Sequence, residues 1–213
     1  MKTRKTYDHL LRYTDITSLI SILSTNSLTL LSPANWDDKN DSYFVLKYQE
    51  RKKLKSVLAL CLAESNETYH HWKIFGSTCS GVSIRFNKAK LAKAVKGLPG
   101  VTIRSVEYRT LQQMKDGSIK IADLPFVKRA AFVDENEMRI LFESRVKLIQ
   151  SFQVQISADF IEYVTLSPWL HSSLVSPVTE LLRSIEGWEN LKIIRSSIVG
   201  NEAWKRYAET AII

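Results

Sequence analysis

Two glutamates and an arginine alternate in Glu135-Asn136-Glu137-Met138-Arg139. On a β-strand, residues i, i+2 and i+4 share a face, so Glu135, Glu137 and Arg139 are expected to project together. The flanks, Ala131-Phe132-Val133 before and Ile140-Leu141-Phe142 after, read as strand. Two carboxylates this close raise one another's proton affinity, which can produce a general base. Three charges between apolar flanks either line a wet cleft or lie on a solvent face. The cleft would make the chain an enzyme. On the solvent face, Glu135 and Glu137 would pair with Lys128 or Arg139 as a surface ion-pair ladder. Spacing alone leaves both readings open.

The elements that must position these residues are legible as a mixture of strands and helices without strict alternation. Leu11-Arg12-Tyr13 reads as a short strand. Thr14 or Asp15 can cap the helix that follows, in which Ile16, Leu19, Ile20 and Leu23 recur at helical spacing and Asn26 is a stop. Further strands are expected over 28–31, 57–62, 81–86, 101–108, 153–156, 160–166 and 191–196. Helices are expected over 43–55, 70–76, 88–95, 175–185 and 202–208. The stretch from Ser32 to Asp41 is a loop by composition. With no internal repeat, low-complexity tract or long linker, the 213 residues are expected to form a single α+β domain over 1–213.

Bulk properties exclude several classes. Hydrophobic residues make up 45% and charged residues 24%, ordinary values for a chain with a sizeable core. No apolar run approaches the ~20 residues of a membrane span. The basic start, Met1 to Lys5, is not followed by an apolar signal core, so a cytoplasmic protein is expected. Cys61 and Cys79 fit no metal-ligand cluster and are expected to be reduced, and the adjacent His70-His71 pair diverges in any regular element. No metal is expected. Neither GxGxxG nor GxxxxGK[ST] occurs, and neither HExxH nor GxSxG. The net charge of +8 permits a polyanionic partner without establishing one. The densest basic run, Arg51-Lys52-Lys53-Leu54-Lys55, reads as a solvated helix end or as a phosphate-contacting patch.

Several segments, taken in order, resemble one bacterial family, domain of unknown function 2971. The resemblance is carried by the strand Leu11-Arg12-Tyr13 and by the loop Leu30-Leu31-Ser32-Pro33-Ala34-Asn35-Trp36-Asp37-Asp38. It continues through the strand end Cys61-Leu62-Ala63-Glu64, and through Trp72 with Gly81-Val82-Ser83-Ile84-Arg85-Phe86. Glu135-Asn136-Glu137-Met138-Arg139, Ile161 to Pro168 and Ile194-Arg195-Ser196 complete it. Phe75, Met138 and Ala63 stand where the family pattern carries tyrosine, an aromatic residue and serine, and the segment Trp36 to Asp41 departs from the family's loop.

That family is distantly similar to the ADP-ribosyltransferase superfamily. The resemblance implies a mixed, largely antiparallel split sheet with flanking helices, clasping NAD as substrate. It implies Glu137 as the carboxylate at the ribose and Glu135 as helper or base. Arg12 would contact diphosphate or ribose, and Tyr13 would stack on nicotinamide. Ser32, Trp72 and Arg139 would join the NAD site, Arg139 also holding Glu137 in its rotamer. It further implies a toxin or phage-defence effector acting on nucleic acid or protein, with a partner protein encoded nearby. The alternatives are a non-catalytic nucleic-acid-binding module and a regulatory module of a defence system. For Tyr13, Trp36 and Trp72, core packing is the competing role.

Overall fold

The computed structural model describes residues 6–211. The basic start Met1 to Lys5 lies outside them. Eleven strands and seven α-helices follow one another along the chain as β1 (His9–Asp15), α1 (Ile16–Thr25), β2 (Ser27–Leu31), α2 (Lys39–Arg51), β3 (Ser56–Ala63), α3 (Tyr69–Phe75), β4 (Gly81–Asn87), α4 (Lys88–Lys96), β5 (Val101–Ser105), β6 (Glu107–Arg109), α5 (Leu111–Asp116), β7 (Val127–Arg129), β8 (Glu137–Ser144), β9 (Ser151–Gln155), β10 (Ile161–Leu166), α6 (Val175–Arg183), β11 (Ile193–Arg195) and α7 (Glu202–Glu209), all counted among the described residues. No helix among them is long and apolar enough to cross a membrane.

The architecture is α+β with a mixed sheet. One arm of the sheet runs β11-β10-β4-β1, and β10 pairs with β11 in parallel. The other arm is built on β3, which runs antiparallel to β8 from Ser56↔Ser144 to Ala63↔Glu137, with β5 beyond β8. The arms separate where β1 meets β3. There the pairing is confined to Leu11↔Ala63, whereas β1 follows β4 from His9↔Asn87 to Asp15↔Gly81. β2 pairs with β9 and meets β3 at Leu31↔Ala59, further along the same edge.

Alternation along β3 and β8 explains both faces of the second arm. Leu58, Leu60 and Leu62 with Met138, Ile140 and Phe142 enter the main core beside Leu19 and Leu23 of α1 and Leu91 and Val95 of α4. On the opposite face, Val57, Ala59 and Leu141 pack beneath Val45 and Tyr48 of α2. The residues that follow on that face towards the sheet split are Arg139, opposite Cys61, and then Glu137, opposite Ala63. The apolar face of β8 thus becomes a charged one within two residue pairs.

Helix ends follow the local chemistry. Asp15 caps α1 by accepting from the Ser18 N–H at 2.8 Å, and Asn26 ends it in the left-handed region at φ 47°. The helix expected from Tyr43 begins earlier, at Lys39, because Asp38 accepts from the N–H groups of Asn40 and Asp41. Asp41 therefore belongs to the first turn of α2 and not to a loop. Between α4 and β5, Gly100 adopts φ +73°, and a Cβ there would sit 2.5 Å from the Glu143 carbonyl oxygen. Gly100→Ala is expected to cost at least about 1–2 kcal/mol, read from the urea midpoint.

The strand expected before the acidic motif is not one. Residues Ala130–Glu135 form a 3-10 helix ended by Asn136 in the left-handed region at φ 40°. Asn136 turns the chain there: its side-chain amide donates to the Glu64 carbonyl, and its own carbonyl accepts from the Glu64 N–H at 2.8 Å. β8 consequently starts at Glu137, so Glu137 and Arg139 share a strand face while Glu135 reaches the same place from outside the strand.

Candidate active site

A cleft of about 440 Å³ opens at the split between the arms, within the ~300–1,000 Å³ typical of ligand pockets. β1 contributes Leu11, Arg12 and Tyr13, and β3 contributes Cys61, Leu62 and Ala63. Asn35 to Asp38 and Asp41 form one rim, Ile74 and Phe75 of α3 another, and Lys128, Phe132, Glu135 and Glu137 close the acidic side. The Arg12 guanidinium crosses the split to donate to the Cys61 carbonyl at 3.0 Å, joining the two arms where strand pairing stops.

The acidic motif is the core of an ion cluster. Arg139, with 0% exposure, donates from Nε to Glu137 at 2.7 Å and grips Asp41 with both terminal nitrogens at 3.0 and 2.7 Å. Its Nη1 also donates to the Pro125 carbonyl at 2.6 Å, and the Trp36 ring covers the guanidinium at 4.6 Å. Such a bidentate pair fixes geometry as well as charge. Lys128 donates to Glu135 at 2.6 Å and lies 3.6 Å from both Glu137 and Asp41. Glu135 and Glu137 do pair with Lys128 and Arg139, but the Arg139–Glu137 pair is buried and the Lys128–Glu135 pair part-buried, so no surface ladder forms.

The two glutamates are tuned in opposite directions. Burial alone would raise the proton affinity of Glu137, but the charges of Arg139 and Lys128, with the Cys61 thiol donating to it, hold its pKa below the ordinary glutamate value. Glu135 is raised by burial and by the neighbouring charges of Glu137 and Asp41, with Lys128 opposing. Burial, reinforced by Glu137, also pushes the Cys61 thiol up. Near neutral pH this leaves an ionised Glu137 beside a more basic Glu135, the division of properties that acid–base chemistry requires.

The structure brings Arg12, Tyr13, Glu135 and Glu137 to one cleft. Tyr13 is 6% exposed, its ring stacked on His71 at 5.4 Å and edge-on to Trp72 at 5.2 Å. His71 is held between the Thr68 hydroxyl and the Glu135 carbonyl, with burial lowering its pKa, so it is a neutral packing partner. Ser32, Trp72 and Arg139 do not line the cleft. Ser32 is exposed and caps the 3-10 turn Pro33–Asn35. Trp72 is fully buried behind Tyr13, its indole donating to Glu67 at 2.5 Å. Arg139 is sealed beneath Glu137, Asp41 and Trp36, which suits it to orient Glu137 and not to touch a ligand.

Asp41 and Cys61 also belong to the site, as do Lys128, expected as a surface ion-pair partner of the glutamates, and Trp36, for which core packing was the competing role. A signal for Asp41 was present: an acidic residue three places after a capping Asp38, on the helix face of Val45 and Tyr48. Cys61 comes from a separate strand with no local spacing to betray it.

No family model matches the chain, and no curated protein matches it. Among solved structures it is similar to Thermus sp. 2.9 DarT in complex with ADP-ribosylated ssDNA, at 12% identity and a TM-score of 0.46, covering 91% of this chain and 98% of that one. The same DarT in complex with NAD+ gives 12% identity and a TM-score of 0.45 over 91% and 98% of the two chains. With carba-NAD+ the values are 12%, 0.44, 91% and 97%.

Proposed function

We propose that the chain is an NAD-consuming enzyme of the ADP-ribosyltransferase type, with the cleft as its active site. The observation that carries the reading is Glu137: a buried carboxylate held ionised by Arg139 at a cleft that also presents Arg12. Breaking the bond between nicotinamide and ribose develops positive charge on the ribose. A pre-placed carboxylate stabilises that charge as it forms, more strongly in the transition state than in the ground state. The lining fits such a substrate. Arg12 suits phosphate or ribose oxygens, and Trp36, Phe75 and Phe132 offer apolar surface for planar rings.

Glu135, more basic and facing the same cleft, takes the proton of the incoming hydroxyl. The incoming group is water or an acceptor on nucleic acid or protein, and the net charge of +8 supports a nucleic-acid acceptor. Work as a toxin or phage-defence effector restrained by a protein partner belongs to the same proposal.

The test is nicotinamide release from NAD by the purified chain, alone and with single-stranded DNA, RNA or protein added. Release supports the reading, and an acceptor that gains mass by one ADP-ribose identifies the transfer. No release under any of these conditions, with salt-sensitive nucleic-acid binding in its place, would replace it with the non-catalytic binding module.

A further inference from the structure

We infer that Lys128 is a positioning residue that divides the work between the two glutamates: its ammonium, anchored on Glu135, is the movable counter-charge that keeps Glu137 ionised when Glu135 takes up a proton. The inference rests on the reading of the cleft given above.

Lys128 sits on β7, which pairs in parallel with β6 as a small two-stranded sheet of its own, Glu107↔Val127 to Arg109↔Arg129. This unit grips Glu137 along its backbone. The Val106 N–H donates to the Glu137 carbonyl at 2.9 Å, and the Glu137 N–H donates to the Tyr108 hydroxyl at 2.8 Å. Lys128 then reaches the Glu137 carboxylate from the same unit. Its position relative to β8 is thereby fixed, and the freedom that remains is in its flexible side chain.

The charge balance explains what that freedom does. Asp41, Glu135 and Glu137 are three carboxylates against two cations, Arg139 and Lys128, with Arg12 across the split and the Cys61 thiol on Glu137. Lys128 has an 8% exposed side chain, with the Phe132 ring 4.9 Å from its ammonium. An ammonium in such a place stays charged only with anions around it. Arg139 is committed to Asp41 and Glu137 and Arg12 acts on Glu137 from across the split, so Glu135 is the carboxylate that depends on Lys128. Glu135, with a 12% exposed side chain at the cleft, is the carboxylate an incoming proton reaches.

In the reaction, the O–H bond of water or acceptor breaks and its proton goes to Glu135. The oxygen forms the bond to the ribose anomeric carbon, and the bond to nicotinamide breaks with its electron pair leaving on nicotinamide. Once Glu135 is neutral, its hold on Lys128 weakens. The ammonium, already 3.6 Å from Glu137, closes on it. Glu137 therefore keeps its charge through the step that needs it.

The test compares Lys128→Met and Lys128→Arg with wild type in two readouts. One is the pH–rate profile of nicotinamide release. The other is the titration of glutamate side-chain carboxyls followed by carbon-13 NMR in ligand-free protein, assigned with Glu135→Gln. Lys128→Met is expected to move the acid limb, and the Glu135 titration with it, upward by about 1–2 pH units. Lys128→Arg is expected to restore both.

A lower melting temperature with an unmoved limb and titration would overturn the inference, because a merely structural lysine would do that. If wild type releases no nicotinamide, the functional reading fails, and the NMR titration still decides the role of Lys128. If Lys128→Met does not fold, wild type itself decides: on acidification Glu135 must protonate before Glu137, and a single joint step overturns the inference.

Discussion

Glu137→Gln is expected to slow nicotinamide release by about 10²–10³-fold, the usual consequence of removing one pre-organised group from where charge develops. The substitution keeps the shape of the side chain and removes its charge. NAD affinity should change by only a few fold, because the carboxylate acts mainly on charge that appears in the transition state. The fold should survive, since Arg139 keeps both hydrogen bonds to Asp41 and its bond to the Pro125 carbonyl. Single-turnover release at saturating NAD, beside thermal melting, reads both effects. Release at the wild-type rate would remove Glu137 from the chemistry.

The pH profile of the wild type adds a sign. In the proposed mechanism Glu135 must be ionised to accept a proton, and burial with the neighbouring carboxylates raises its pKa above the ordinary glutamate value. The rate should therefore fall on acidification through that raised value, while Glu137, lowered, is still charged. Glu135→Gln should flatten this acid limb.

Asp41→Ala is expected to destabilise the protein by about 3–5 kcal/mol, because it strips the bidentate partner from an arginine with 0% exposure. Against a total stability of about 5–15 kcal/mol, this is enough to lower the melting temperature by roughly 10 °C. The comparison that isolates the cause is Asp41→Leu combined with Arg139→Met. With both charges gone, the stranded guanidinium is removed while Glu137 is left to Lys128 at 3.6 Å, so part, but not all, of the lost stability should return. The double variant should still be inactive, since nothing then orients Glu137 from below. Urea unfolding at neutral pH measures the first effect and nicotinamide release the second. A single Asp41→Ala variant within about 1 kcal/mol of wild type would mean that Glu137 and the Pro125 carbonyl suffice for Arg139.

Much of the framework is local and was therefore readable. Asp15 and Asn26 bracket α1, Leu19 and Leu23 set its buried face, and the alternation of Gly81 to Phe86 gives β4, because caps and periodicity act within a few residues. The α+β character follows from the same signals. The acidic motif was readable as a cluster of charge, and the sharing of one face by Glu137 and Arg139 follows from the strand period.

Other features lie beyond local spacing. Residues 131–133 look like strand, yet the turn at Asn136 is fixed by the distant Glu64 backbone, and this makes them a 3-10 helix. Whether Glu135 and Glu137 face water or a cleft depends on β1 parting from β3 after one pair, and no residue of the motif encodes that. Asp41 meets Arg139 across 98 residues and Lys128 meets Asp41 from a separate small sheet. The sequence by itself determined which side chains carry charge and which local elements hold them. Tertiary structure alone decided which charges share one buried volume, because electrostatic coupling depends on separation in space and on exclusion of water, neither of which is written in spacing along the chain.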